Sequence, residues 1–306
     1  MCIDGILNVN KPAGKTSLEV VDLVRRLSGQ RRVGHAGTLD PGATGVLPIC
    51  LGQATRVTSF IVDARKIYQA RIELGISTDT YDAEGKVTQR VDPSHITREK
   101  VEGVLQSLSG SILQRPPMYS ALKYRGKRLY ELARAGIEVE RRQRRTEVFR
   151  LEMIAWEPPL FTIEVECGKG TYIRSLAHDL GQALGCGAHL RELIRLKSGP
   201  FDIGDSLTIP QLEDSFRYGY WPDVLYPMDV VLEHWVAAIV SEEKERAIRN
   251  GRPLALGDGV DKAYCRAYSL DGRFLAVLRF MPENGLWRPE KVFSASTEVT
   301  KEGLTS

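Results

Sequence analysis

Residues 34–47 read GHAGTLDPGATGVL, a loop with four glycines, one proline and a single carboxylate, Asp40, and it runs straight into the apolar string VLPICL at 46–51. Glycines 34, 37, 42 and 45 allow tight turns or a close approach of backbone to a ligand, and Pro41 fixes φ immediately after the acid. Asp, Pro and Gly are also the ordinary formers of turns, so composition alone leaves a plain turn open. The apolar string suits a buried strand, which fastens the loop directly to the core. A loop held by a rigid scaffold presents side chains, and Asp40 is the one this loop has to present.

The flanking sequence supplies the scaffold. Residues 6–10 are a strand candidate, and Lys11-Pro12 opens a turn that delivers Thr16 or Ser17 as N-cap to a helix over about 18–27, where Val20, Leu23, Val24 and Leu27 share a face. Residues 68–76 alternate with β character, and Phe161, Ile163, Val165 and Cys167 mark a second alternating strand. Thr97 caps a helix with Val101, Val104, Leu105 and Leu108 on one side, and 173–184 is another amphipathic helix. These elements predict an α+β domain over 1–230 with a central mixed, largely antiparallel sheet. The aromatic, proline-containing YGYWPDVLYP at 218–227 reads as the connector that ends it. Over 231–306, a strand at 236–240, a helix begun by Ser241 and ended near Asn250-Gly251, and an Asp271-Gly272 hairpin turn between strands at 263–269 and 274–280 predict a small, mostly β module.

At 306 residues and 42% hydrophobic, the chain has apolar mass for one large domain and a smaller one. No apolar run reaches membrane-spanning length, and MCIDGILNVN lacks a basic region followed by a cleavable apolar stretch, so a cytoplasmic protein without membrane contact is expected. Cysteines 2, 50, 167, 186 and 265 form no CxxC pair, and Cys186 with His189 in CGAH has half of a metal-site spacing without a second half. That pair reads as structural. Net charge is only +3, but residues 115–150 hold eleven Lys/Arg against four Glu, with Tyr119, Tyr124 and Tyr130 interleaved and Pro116-Pro117 adjacent. A charge run is ordinarily a solvated face. The tyrosines and prolines favour instead a surface that grips phosphates while aromatic rings meet unstacked bases.

GHAGTLDPGATGVLPICLGQATR resembles the motif of the TruB family of RNA pseudouridine synthases, with Asp40 at the position of the family's catalytic aspartate. GILNVNKPAGKTS, KIYQARIELGISTDTYDAEG and GKGTYIRSLAHDLG resemble further family motifs in the same order, so the likeness extends over nearly the whole chain. It implies a pseudouridine-synthase-like catalytic domain with a basic RNA-binding insertion at about 115–150. Residues 231–306, closing with LWRPEKVF, resemble a PUA-type RNA-binding domain, with a stabilising β appendage as the alternative. Length and basic segment are more similar to the bacterial stand-alone enzyme than to guide-RNA-dependent relatives. The implied substrate is the T-loop uridine of tRNA, position 55 in tRNA convention, modified by a monomer without guide RNA.

The implied reaction breaks the N1–C1′ bond, turns the freed uracil and joins C5 to the same sugar carbon. No atom is gained or lost, so no cofactor and no metal is expected, but an anionic group beside C1′ is required. The resemblance assigns that role to Asp40, and pairs it with Arg174 in GTYIRS. A helix start disfavours a cation, which calls for a specific acidic partner. Tyr68 is implied to stack on the target uracil, its phenol being a poor base at neutral pH. Tyr172 is carried over as a pocket residue and Leu193 in AHLRELIRL as an apolar pocket wall. His35 is implied to help extrude the nucleotide by occupying the space the base vacates, with a satisfied structural histidine as the alternative. Lys11 in NKPAGKTS either orients the aspartate loop or binds phosphate, and the string lacks the glycine-rich spacing of a P-loop. An RNA-binding, tRNA-folding protein without catalysis fits the basic segment and the C-terminal module equally well. The set Asp40, Tyr68 and Arg174 separates the two readings, because a pure binder has no use for a carboxylate facing a phosphate-rich ligand. An aspartyl-phosphate phosphatase is set aside, since Gly42 stands where its DxD pattern needs a second acid.

Overall fold

The computed structural model describes residues 3–120, 122–256 and 263–294, so Cys2 and positions 295–306 of the C-terminal module lie outside it. A nine-stranded sheet forms the body, its main path running Gly5–Lys11, Thr44–Leu51, Ala188–Ser198, Lys66–Leu74, Leu160–Cys167, Arg144–Glu157 and Gly110–Gln114. Every pairing on that path is antiparallel except one, where Ile194 and Arg195 run parallel to Thr44 and Gly45. The sheet is therefore mixed and largely antiparallel, as the sequence predicts. Helices cover one face. Ile173–Ala183 and Arg98–Ser107 pack over Ala70, Ile72, Phe161, Ile163 and Val165, and Ser17–Ser28 with Ile209–Arg217 packs over Leu7, Val9, Leu47 and Ile49. Tyr68 lies against both clusters, at the seam between them.

The helix Ser17–Ser28 follows its local signals: Thr16 caps it, Glu19 closes a capping box, and Gly29 ends it in the left-handed region at φ 66°. Ser17, the other candidate cap, instead bonds both backbone groups of Leu39. The strand expected over 68–76 stops at Leu74. Gly75 turns the chain at φ 84°, and Ile76–Thr78 pairs with Val87–Arg90 in a separate hairpin. The basic segment is not one insertion. Its last residues begin the long strand Arg144–Glu157, where surface charges mask an alternation that buries Thr146 and Val148. Only the part before it, with the hairpin Lys123–Tyr124 and Lys127–Arg128 and the helix Leu129–Arg134, stands outside the sheet. The strand Ala188–Ser198 gave no alternating signal, because a bulge between Leu190 and Glu192 breaks its period of two.

The C-terminal module is a four-stranded sheet of Val236–Ile239, Tyr264–Tyr268, Phe274–Met281 and Leu286–Val292, with Ser241 capping the helix Glu242–Arg249. It does not hang from a free connector. Tyr226 exchanges both backbone hydrogen bonds with Ile6 at 2.8 and 2.9 Å, so 218–227 belongs to the body. Phe293 and Val277 of the module share one core with Ile6, Val46, Cys50 and Ile61. Among the described residues no helix is long and apolar enough to cross a membrane.

Candidate active site

The loop that carries Asp40 is held from beneath. The Lys11 ammonium is fully buried and donates to the carbonyls of Pro12 at 2.9 Å, Lys15 at 2.6 Å and Pro41 at 3.1 Å. All three ammonium hydrogens are used, and none faces the cleft. Of the two roles open to Lys11, this geometry matches orientation of the loop. Burial pulls the Lys11 pKa down to about 8, with the nearby Asp40 carboxylate partly opposing the fall. Gly14 N–H and the Ser17 hydroxyl bond the same loop, at the carbonyls of Pro41 and Leu39.

These anchors place Asp40 in the wall of a cleft of about 670 Å³, together with His35, Arg174 and Leu193. Arg174 starts the helix Ile173–Ala183, yet only 6% of its side chain is exposed. Its Nε lies 3.0 Å from Asp40 Oδ2 and its Nη2 donates to Asp40 Oδ1 at 3.3 Å, so guanidinium and carboxylate meet along two edges. Arg174 also donates to the carbonyl of Tyr119 at 2.8 Å and pairs with Asp82 at 3.5 Å. Asp40 keeps 44% of its side chain open to the cleft. Burial of its carboxyl nevertheless pushes the pKa above the usual aspartate range; Arg174 opposes this and the neighbouring Asp82 adds to it.

The remaining expected residues take different places. His35 lines the cleft, and burial followed by the charge of Arg195 lowers its pKa, so the ring is neutral at neutral pH. Its Nδ1 is buried without a hydrogen-bond partner among the described residues. Leu193 stands in the cleft wall. Tyr68 and Tyr172 are not part of the wall of the open cleft, but both phenols are close enough to Asp40 to feel its charge. Burial raises both phenol pKa values. Backbone N–H and C=O of Tyr172 bond the Gln114 amide at 2.9 and 3.0 Å, which fixes the approach to Arg174.

Asp82 lines this cleft and Arg195 bonds the carbonyls of Gly37 and Val46 in the Asp40 loop; local sequence singles out neither. Asp82 lies inside the quoted KIYQARIELGISTDTYDAEG string, but nothing in its spacing marks one acid of that string as the second partner of Arg174. From the basic segment, Arg128, Tyr130 and Arg134 reach the mouth of the same cleft. Cys186 and His189 do not converge on a ligand site: His189 contacts the carbonyl of Ile76 at 3.2 Å and Glu73 at 3.6 Å. Among the described residues no group of three His, Cys, Asp or Glu side chains is placed to hold a metal ion.

Comparison with known proteins matches this architecture. A model described as "TruB family pseudouridylate synthase (N terminal domain)" covers residues 25–173, and one described as "tRNA pseudouridylate synthase B C-terminal domain" covers 174–233. A relative from Dehalococcoides mccartyi named "tRNA pseudouridine synthase B" is 45% identical over 292 residues, spanning 95% of this chain and 97% of the relative. A protein of the same name from Stutzerimonas stutzeri is 43% identical over 90% of this chain and 91% of its own. Among solved structures, a chain from a Cbf5-Nop10-Gar1 complex superposes with a TM-score of 0.75 at 30% identity, over 95% of this chain and 85% of that one. With the fold, the paired Asp40 and Arg174 and these relatives together, the chain belongs to the TruB family of pseudouridine synthases.

Proposed function

We propose that this chain isomerises the T-loop uridine at position 55 of tRNA to pseudouridine, as a stand-alone cytoplasmic monomer that uses no guide RNA. The observation that carries this reading is the carboxylate of Asp40, open to a cleft and gripped from behind by a buried arginine. A protein that only folds RNA gains nothing from such a pair, because an anion at the ligand face repels phosphate.

In this reading the target nucleotide is everted and C1′ comes to lie against Asp40. Attack on C1′ and removal of a ribose proton both use the ionised carboxylate, and Arg174 keeps that form populated against the cost of burial. Uracil then turns, C5 bonds C1′, the C5 proton leaves and N1 regains one, so the atoms balance. Tyr68 has a phenol pushed away from ionisation, which supports stacking over proton transfer. Neutral His35 fills the gap left by the base, and unstacking a base costs a few kcal/mol that a planar ring partly restores. Leu193 bounds the pocket. Arg128 and Arg134 at the mouth supply cations for the RNA backbone, and 231–306 acts as a PUA-like second RNA contact.

Incubating the purified protein with T-arm RNA and mapping pseudouridine tests the assignment; an unmodified T-loop uridine removes it. Asp40→Asn is expected to keep RNA affinity while turnover falls by about a thousandfold or more. Ordinary turnover in that variant would refute the role of the carboxylate.

A further inference from the structure

Arg195 is 1% exposed, and no Asp or Glu among the described residues forms an ion pair with it. A buried guanidinium without a counter-ion is an expensive thing to fold, and a core chosen for stability alone would carry an apolar side chain there. What surrounds it is backbone. Nε donates to the carbonyl of Val46 at 2.6 Å and Nη2 to that of Gly37 at 2.9 Å. Those two carbonyls are the two feet of the loop that presents Asp40. Arg195 also stands directly opposite Tyr68 in the antiparallel pairing of Ala188–Ser198 with Lys66–Leu74, and its charge partly offsets the burial that raises the Tyr68 phenol's pKa. The strand that carries Arg195 runs close beside the end of the loop: Gly45, at φ 100°, pairs with Arg195 so closely that a Cβ would stand 2.3 Å from the Arg195 carbonyl oxygen.

We infer that Arg195 is a positioning residue for the isomerisation: one planar guanidinium sets the seat of the Asp40 loop and of the Tyr68 ring together, so that carboxylate and stacking face meet the same nucleotide. The inference rests on the roles proposed above for Asp40 and Tyr68. Lysine is no substitute, because a single ammonium cannot reproduce a rigid fork that spans two carbonyls. Displacing either reacting partner by a fraction of the pocket width is costly, since an error of about 1 Å is worth about a hundredfold in rate.

The test measures single-turnover pseudouridine formation on T-arm RNA, RNA affinity and amide hydrogen exchange for Arg195→Lys, alone and with Tyr68→Phe. Expected for Arg195→Lys are unchanged RNA affinity, a rate lower by about a hundredfold, and faster exchange confined to residues 38–44. In the Tyr68→Phe background the same change should cost less, because the phenol that feels the Arg195 charge is already gone. An unchanged rate overturns the inference, as does a loss that is equal in both backgrounds with exchange rising evenly across the sheet. If Arg195→Lys does not fold, Arg195→Gln takes its place; failure of both to fold assigns Arg195 to stability and also overturns it. Asp40→Asn run alongside separates the failures: turnover in that variant sinks the catalytic reading, whereas an inert Asp40→Asn beside a fully active Arg195→Lys sinks this inference alone.

Discussion

Asp40 sits under opposed influences: burial and Asp82 favour its neutral form, Arg174 its charged form. In the proposed reaction the Asp40 carboxylate acts ionised, so activity should fall as pH drops through the raised pKa, at a higher pH than an ordinary aspartate would show. Removing the cation that holds the value down moves it further up. Arg174→Gln is therefore expected to shift the acid limb of kcat/KM toward neutrality and to lower the rate at pH 7 by about a hundredfold or more, with pH profiles on T-arm RNA as the readout. A limb that stays in place would mean Arg174 does not set this ionisation. The pairing itself was readable only in part. A cation at a helix start signalled that some acid must be near, but the second acid, Asp82, came from the hairpin after Gly75, which local sequence does not aim at Arg174.

Among the elements, the Asp40 loop gets its shape from strands on either side of it. The buried Lys11 ammonium joins the end of Gly5–Lys11 to Pro41 and to the turn before Ser17–Ser28. Lys11→Met leaves three buried carbonyls without that donor and is expected to cost about 2–3 kcal/mol in urea denaturation. The sign of its pH dependence follows from a folded pKa of about 8, below the ordinary 10.5. Between those values the unfolded chain holds a proton that the folded chain has released, so this group adds stability as pH rises from about 8 to 10.5. The stability gap between the parent protein and Lys11→Met should widen over that window; a constant gap would contradict a buried cation at Lys11. Helix Ser17–Ser28 was legible because cap, capping box and apolar face lie within one short stretch. The strands Ala188–Ser198 and Arg144–Glu157 were not, since bulges and surface charges interrupt the alternation that reveals a strand.

For the molecule as a whole, body and C-terminal sheet behave as one packed object. Phe293 is 1% exposed, stacks on Phe274 and lies in the core that holds Ile6 and Val46, the latter at the end of the Asp40 loop. Lys291 Nζ donates to the carbonyl of Arg56 at 2.6 Å, and the Gln53 side chain bonds the backbone of Ser294. Phe293→Ala is expected to lower stability by about 3–5 kcal/mol and to destabilise the body along with the module. Urea denaturation followed at probes in both units checks it. Separate transitions, with the body unaffected, would show the shared core to be energetically unimportant.

What the chain determines by itself is local and periodic: the glycine-rich loop that must present Asp40, the capped helix behind it, the strands whose alternation is intact, and the family motifs that name the chemistry. Tertiary structure alone decided that Arg174 meets Asp40 through two contacts, that Lys11 turns inward, that Asp82 shares the guanidinium and that Arg195 stands opposite Tyr68. The reason is that side-chain spacing reports the period of one element, whereas these contacts depend on strand order and register. In this sheet Ala188–Ser198 inserts between Thr44–Leu51 and Lys66–Leu74, bringing residues far apart in the chain to adjacent rungs.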